Sequence, residues 1–146
     1  MFMKKAYNLA KRAYQIGEVP VGAVIVKNGK VIARAFNGRE TKKDATEHAE
    51  LSAIKKACKK LGGWRLTGCT LYVTLEPCFM CAGAIINSRI DRVVIAAKDK
   101  KAGAMGSVAD INAFGLNHKP EISYGVMEKE CSLLLKDFFA LLRHRN

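Results

Sequence analysis

Residues 70–97 have the sequence TLYVTLEPCFMCAGAIINSRIDRVVIAA and decide the fold. Two apolar runs rich in β-branched residues, 70–75 and 92–97, predict buried strands. The segment between them, residues 78–87, begins directly after Pro77 and is predicted to be a helix. A strand, a helix and a strand in this order predict that the two strands pair in parallel through a crossover connection.

The chain before this unit predicts a β-hairpin preceded by a helix. Residues 21–26 and 31–36 are β-rich runs joined across Asn28-Gly29, a pair suited to the positive backbone angles of a tight hairpin turn. Upstream of the hairpin, apolar residues at helical spacing predict an N-terminal helix that ends near Gly17.

A second helix is predicted over residues 46–61 and ends at Gly62-Gly63. Asp44 lies three residues before Glu47, which predicts a capping arrangement at its start. The face opposite the apolar stripe carries lysines, interpreted as a solvated surface: Lys55, Lys56, Lys59 and Lys60.

The remaining chain completes a layered architecture. Residues 98–118 contain three glycines and predict an irregular excursion with one short helix, followed by a strand over 121–124 and a closing helix over 127–142. We therefore expect an α/β fold: one domain over residues 1–146, a three-layer α/β/α sandwich with a mixed central sheet of about five strands.

The composition fits a folded protein with a polyanionic partner. Hydrophobic residues make up 49% and charged residues 26% of the chain, which argues against disorder. The formal net charge of +12 favours a nucleic-acid partner, although a solvated cationic surface gives the same charge. No apolar stretch of the sequence is long enough to cross a bilayer and no signal-peptide run is present, so we expect a cytoplasmic protein without membrane contact.

The five cysteines are better explained as thiols or metal ligands than as a disulfide framework. Cys58, Cys69 and Cys131 are expected to be buried small apolar side chains. Cys78 and Cys81 lie one helical turn apart at the start of a predicted helix, where the helix dipole favours anionic sulfur.

His48 and Glu50 lie in the first turn of the helix predicted over residues 46–61. Residues two apart on a helix point about 200° apart, so these two share a site only near the helix end. His48, Cys78 and Cys81 give a tetrahedral zinc ion three ligands, and the open fourth position is typical of catalytic sites. Glu50 is the candidate residue for moving protons to and from the activated water.

A structural zinc site and a redox cysteine pair are the alternatives to a catalytic centre. A closed structural site requires a fourth protein ligand. The candidates, none of which shows ligand spacing with another, are Cys58, Cys69, Cys131, His118 and His144.

His-Ala-Glu at residues 48–50 and Pro-Cys-Phe-Met-Cys at residues 77–81 resemble the zinc-dependent nucleobase deaminases, and more narrowly the bacterial tRNA-specific adenosine deaminases. The likeness covers nearly the whole chain and includes residues 17–24, 71–78, 88–90, 117–118 and 137–139.

The resemblance implies a cytidine deaminase-like fold with one Zn²⁺ per subunit. It further implies that zinc-activated water attacks C6 of a flipped-out adenine at the wobble position of a tRNA anticodon. Glu50 then moves protons to the ring nitrogen and the amine, and ammonia leaves to give inosine. The implied partners are a tRNA anticodon stem-loop and a second subunit in a homodimer.

The resemblance also implies which residues contact the substrate. The positions that match the purine pocket are Asn37, Ala49, Leu75 and Glu76. The positions that match the RNA-facing regions are Asp99, Lys101, Asn117, Phe139 and Arg143. Three of these have structural alternatives: a turn residue for Asn37, a core residue for Leu75 and a buried helix face for Phe139.

Three residues depart from the usual family pattern: Ala45, Glu47 and Phe79. Because of these departures, the resemblance does not fix the start of the second helix or the shape of the pocket.

Two other functions share the zinc motif. A deaminase of a free base, nucleoside or nucleotide would use the same chemistry, and a non-catalytic zinc-stabilised RNA-binding module would not require Glu50. The net charge and residues 137–139 favour tRNA.

Overall fold

A single five-stranded sheet forms the centre of the computed structural model, which describes residues 1–145. Asn146, the last residue of the predicted domain, lies outside the described residues. The strands are β1 (Gly22–Lys27), β2 (Lys30–Phe36), β3 (Cys69–Leu75), β4 (Arg92–Ala97) and β5 (Glu121–Tyr124). They are arranged in the order β2-β1-β3-β4-β5. β1 is antiparallel to β2 and β3, whereas β3, β4 and β5 run parallel, so the predicted mixed sheet and its parallel crossover are confirmed.

Helices cover both faces of the sheet. They are α1 (Phe2–Gln15), α2 (Ala49–Leu61), α3 (Phe79–Asn87) and α4 (Glu128–Arg145), with a short 3-10 helix at Ile111–Phe114. Alternate strand residues face opposite layers. The side chain of Ile95 packs in the core that includes α2 and α3, whereas Val94 packs in the core that includes α1 and α4. The predicted three-layer α/β/α sandwich is therefore confirmed.

The hairpin between β1 and β2 turns at the predicted pair. Asn28 and Gly29 have φ angles of 51° and 74°, as a two-residue turn between right-handed twisted strands requires. β1 packs closely against α1 at Gly22. A Cβ at this residue would overlap the Ala6 carbonyl and lie 2.7 Å from the Ala10 nitrogen. Only glycine permits this close approach.

The two helices at the candidate site begin later than predicted. The helix predicted over residues 46–61 begins at Ala49, and His48 is its N-cap residue with extended backbone angles of φ −83° and ψ 150°. The helix predicted from Cys78 begins at Phe79, and Cys78 is likewise an extended N-cap residue. His48 and Cys78 therefore lie just outside their helices.

The predicted capping arrangement of Asp44 and Glu47 is wrong. The Asp44 carboxylate accepts hydrogen bonds from the backbone N–H and the hydroxyl of Thr46, at 2.9 and 2.7 Å, and so closes a turn before the helix. Glu47 instead pairs with Lys42 at 3.4 Å. Local side-chain bonds of this kind compete with helix formation and account for the late start of α2.

Other predictions agree with the structure in most details. Cys69 and Cys131 are buried, whereas Cys58 is only half-buried and lies 3.7 Å from the Trp64 carbonyl. The four lysines on the outer face of α2 are exposed, as predicted. Residues 98–118 are mostly irregular and include the 3-10 helix. None of the helices in residues 1–145 combines the length and the apolar character needed to cross a membrane.

Candidate metal centre and active site

The candidate site forms where the N-termini of α2 and α3 meet beside the end of β3. His48 is the residue before α2, Cys78 is the residue before α3, and Cys81 lies in the first turn of α3. An N-cap side chain projects from the end of a helix toward its unpaired N–H groups. The two helix ends therefore place one imidazole and two thiol groups in the same small volume.

The distances between these side chains suit a zinc ion. His48 Nδ1 lies 3.6 Å from Cys78 Sγ and 3.5 Å from Cys81 Sγ, and all three atoms lie within 4.8 Å of one another. Tetrahedral zinc with Zn–S bonds of ~2.3 Å and a Zn–N bond of ~2.0–2.1 Å separates nitrogen and sulfur ligands by about 3.6 Å. The donor set fits zinc, and Nδ1 is the histidine atom that lies closest to the two sulfur atoms and would bind the ion.

The five candidates for a fourth ligand lie elsewhere. His118 Nε2 lies 2.7 Å from the Ile90 carbonyl oxygen. Within residues 1–145, one group of three or more His, Cys, Asp or Glu side chains is close enough to hold a metal ion, and it consists of His48, Cys78 and Cys81. None of the five candidates for a fourth ligand belongs to this group: Cys58, Cys69, Cys131, His118 and His144.

The electrostatics of the two thiols also favour a metal ion. Hydrogen bonds from the Cys81 thiol and from His48 lower the pKa of Cys78 to about 3, despite its burial. The hydrogen bond to the Cys78 thiolate, together with burial, raises the pKa of Cys81. With a divalent cation bound here, Cys78 and Cys81 would both be thiolates, because cysteine binds zinc in its deprotonated form.

Glu50 is the buried carboxyl group of the site. It lies in the first turn of α2, is only 4% exposed and lines the same cavity as His48. Burial raises the pKa of Glu50 to about 7, although the charge of His48 opposes the shift. A carboxyl group in this environment can both accept and donate a proton near neutral pH.

The centre opens into a cavity of about 740 Å³. All four residues predicted to hold the purine line it: Asn37, Ala49, Leu75 and Glu76. Four of the five predicted RNA-contacting residues also line it: Asp99, Lys101, Phe139 and Arg143. Asn117 does not line the cavity and is exposed beyond the 3-10 helix. The roles of these residues remain predictions.

Two of the structural alternatives can be judged from the side-chain positions. Asn37 forms a turn, because its Oδ1 accepts a hydrogen bond from the Arg39 N–H at 3.4 Å and its Nδ2 donates to the Val19 carbonyl at 3.3 Å. It still lines the cavity, so both interpretations of Asn37 remain. Phe139 is 39% exposed, so its interpretation as a buried helix face is wrong.

Sequence reasoning missed part of the basic wall of the cavity. Arg39, Lys98 and Lys100 line it together with the predicted Lys101 and Arg143. The signal was present for the lysines, because they follow the carboxyl end of β4, the edge at which α/β proteins place their sites. Arg39 carried no such signal, since its place depends on the turn after β2.

Comparison with known proteins identifies the family. The chain matches the MafB19-like deaminase family over residues 1–143. It is 50% identical to the tRNA-specific adenosine deaminase of Bacillus subtilis, over 99% of this chain and 91% of that protein. It is 51% identical to the protein of the same name from Aquifex aeolicus, over 98% of this chain and 95% of that protein. The chain belongs to the tRNA-specific adenosine deaminase family.

A solved structure from a study of A-to-I editing by tRNA:A34 deaminases at the wobble position of transfer RNA supports the same assignment. It has a TM-score of 0.90 and 44% identity, covering 92% of this chain and 98% of that one. The predicted cytidine deaminase-like fold is therefore confirmed. Among the departures from the usual pattern of the deaminase family, Phe79 is 50% exposed and does not line the cavity.

The zinc content of ligand variants tests this centre. We expect one zinc ion per wild-type chain after dialysis, and less than about a tenth of that in Cys81→Ala, because two ligands hold zinc weakly. Metal analysis by mass spectrometry measures the ratio. Cys58→Ser is the matched control and should bind zinc as the wild type does. Full zinc content in Cys81→Ala would contradict the assigned ligand set.

Proposed function

We propose that this protein hydrolyses adenosine to inosine at the wobble position of a tRNA anticodon and releases ammonia. The observation that carries the proposal is the buried Glu50 carboxyl beside a three-ligand metal centre, in a cavity whose lining includes five cationic side chains. Relatives named tRNA-specific adenosine deaminase, at 50% and 51% identity over nearly the whole chain, support the substrate.

His48, Cys78 and Cys81 hold the zinc ion, one per subunit. When bound, zinc acidifies water and so supplies a nucleophile near neutral pH. The three protein ligands distinguish this centre from a closed structural site. Positions at two helix N-termini also keep the ligands fixed, because the backbone of each helix sets the direction of its cap residue.

Glu50 carries protons between water and the base. Its carboxylate accepts a proton as the water oxygen bonds to C6 of adenine, and the proton passes to the ring nitrogen. A second proton transfer through Glu50 lets the C6 amine leave as ammonia, so adenosine and water give inosine and ammonia. Because Glu50 is buried, bulk water does not compete with the substrate for protons on its carboxyl group.

The purine enters beside the start of α2. Ala49 is the first residue of α2, and the first N–H groups of a helix have no partner within the helix. We infer that this N–H and the Asn37 amide bond the purine edge, while Leu75 and Val21 pack against its faces. All four residues line the cavity next to Glu50.

The cavity walls suit an RNA chain better than a free base. Arg39, Lys98, Lys100, Lys101 and Arg143 bring five cationic side chains to one cavity. A free base carries no phosphate to use them, whereas an anticodon loop presents several phosphates and unstacked bases. The exposed ring of Phe139 at the same cavity is suited to stacking on a neighbouring base.

We also propose that the protein acts as a homodimer in the cytoplasm. Phe79 and Met80 are 50% and 37% exposed beside the metal centre, and adjacent exposed apolar side chains are typical of an interface. A second subunit placed there would extend the RNA surface.

Sedimentation at several concentrations tests the dimer, and a monomer throughout would contradict it. Cell fractionation tests the location, and recovery with the membrane would contradict it.

Glu50→Gln separates catalysis from binding. The amide keeps the shape of the side chain but cannot cycle a proton, so deamination should fall by at least about 10²-fold while zinc content and tRNA affinity persist. Mass spectrometry of tRNA digests measures inosine. Glu121→Gln, at an exposed carboxylate on β5, is the control and should retain activity.

Three outcomes of these assays would contradict the proposal. Unchanged inosine formation by Glu50→Gln would remove the assigned role of the carboxyl group. Wild-type protein that deaminates free guanine, cytosine or nucleosides but not an adenine-wobble tRNA would indicate a small-molecule deaminase. Wild-type protein that binds tRNA without any deamination would indicate a zinc-stabilised binding module.

Salt dependence tests the RNA interface. Because lysine and arginine displace condensed counterions, tRNA affinity should fall as salt rises, and Lys101→Ala should reduce the log–log slope by about 1. Filter binding across a salt series measures the slope. Lys60→Ala, on the exposed outer face of α2 and outside the cavity, should leave it unchanged. A flat profile for the wild type would contradict RNA binding by these cations.

A further inference from the structure

Glu76 is a buried carboxylate whose hydrogen bonds are made by a single loop. It is 2% exposed and lies between β3 and the metal ligand Cys78. Its Oε1 accepts hydrogen bonds from the Asp99 N–H at 3.1 Å and from the Ser107 hydroxyl. Its Oε2 accepts from the N–H groups of Met105 and Ser107 at 3.0 and 3.1 Å. Each oxygen therefore already has two donors.

These bonds fix the segment that supplies part of the basic wall, residues 98–107, termed here the lysine loop. The loop places Lys98, Lys100 and Lys101 at the cavity. The Asp99 carboxylate in turn accepts from the N–H groups of Lys101 and Ala102, at 3.0 and 3.2 Å. Backbone N–H groups of the loop thus donate to two carboxylates, those of Asp99 and Glu76, of which Glu76 is buried.

The fit between Glu76 and the lysine loop leaves no spare room. A Cβ at Gly103 would overlap the Glu76 carboxyl group and lie 2.6 Å from the Asp99 carbonyl oxygen. The loop backbone must therefore approach the carboxylate closely, which only glycine allows. Gly103 and Glu76 therefore depend on each other, because the carboxylate fits only where residue 103 has no side chain.

Glu18 has the same relation to a second loop on the cavity. It is 1% exposed, and it accepts hydrogen bonds from the Glu40 N–H at 3.1 Å and from the Thr41 N–H at 2.5 Å. Burial opposes ionisation, but hydrogen bonds from Thr41 and Glu40 and the charge of Arg39 lower the pKa of Glu18. Residues 38–43, termed here the arginine loop, place Arg39 at the cavity.

We propose that Glu18 and Glu76 are positioning residues that preorganise the arginine loop and the lysine loop for an RNA backbone. The inference rests on the proposed tRNA substrate. A buried carboxylate that satisfies several backbone N–H groups stabilises one loop conformation over the many open ones. Cations held in that conformation bind phosphates without first being ordered, so the carboxylates act on substrate affinity rather than on the chemical step.

Glu76→Gln and Glu18→Gln test the proposal. Each amide replaces an acceptor with an NH₂ group that opposes a backbone donor, so its loop should loosen. We expect the KM for tRNA to rise about tenfold or more while kcat changes less than about threefold and zinc content stays at one per chain. Glu121→Gln, which lies outside both loops, is the matched control.

Hydrogen exchange distinguishes positioning from direct substrate contact. In Glu76→Gln, the amides of Asp99, Met105 and Ser107 should lose protection while those of Glu40 and Thr41 keep it. Glu18→Gln should show the reverse pattern. A raised KM with unchanged exchange would assign Glu76 to direct substrate contact and overturn the proposal. Lost protection with an unchanged KM, or a fall in kcat alone, would also overturn it.

Ser107→Ala keeps the proposal testable if Glu76→Gln does not fold. It removes one donor and leaves the backbone bonds to Glu76 in place, so we expect a KM increase of about threefold with partial loss of protection in the lysine loop. A KM equal to that of the wild type would then overturn the proposal. Wild-type protein without tRNA deamination would refute the proposed function instead, while the exchange pattern would still show whether the carboxylates hold the loops.

Discussion

The meeting of two helix N-termini beside the sheet is the constraint on which the site depends. His48 and Cys78 are extended cap residues just outside α2 and α3, and Cys81 is in the first turn of α3. This placement brings Nδ1 and two sulfur atoms to the separations of a tetrahedral zinc site. Residues two apart on a helix point about 200° apart, but this does not separate His48 from Glu50, because His48 precedes the helix in which Glu50 lies.

The centre of the site is fixed by helices, whereas its walls are loops. Two buried carboxylates, Glu18 and Glu76, satisfy the backbone N–H groups of loops that carry cations to the cavity. An isolated buried carboxylate is costly, so these two groups persist because loop donors satisfy them. In the proposed function, helix N-termini thus support the chemistry and loops support RNA recognition, and we expect substitutions in one part to leave the other intact.

Sequence patterns predicted the regular parts of the structure because their signals are local. The apolar runs at residues 70–75 and 92–97, the Asn28-Gly29 turn and the spacing of Cys78 and Cys81 are each signals that extend over a few residues. Sequence reasoning missed the start of α2, where the Asp44 turn competes with the helix, and the loop contacts of Glu18. The Glu18 bonds join residues 22 and 23 apart in the chain, and such long-range contacts carry no periodic signature. The Asp44 bond to Thr46 is local, but the helical spacing of the residues that follow favoured an earlier helix start.

X-ray absorption at the zinc edge of the zinc-loaded protein tests the central claim most directly. We expect two sulfur atoms at about 2.3 Å and two lighter atoms at about 2.0–2.1 Å from zinc, of which one is a histidine nitrogen and the other an oxygen. The same spectrum should persist in Glu50→Gln. A third sulfur or a second imidazole would show a closed structural site, and would contradict the assignment of this centre to catalysis.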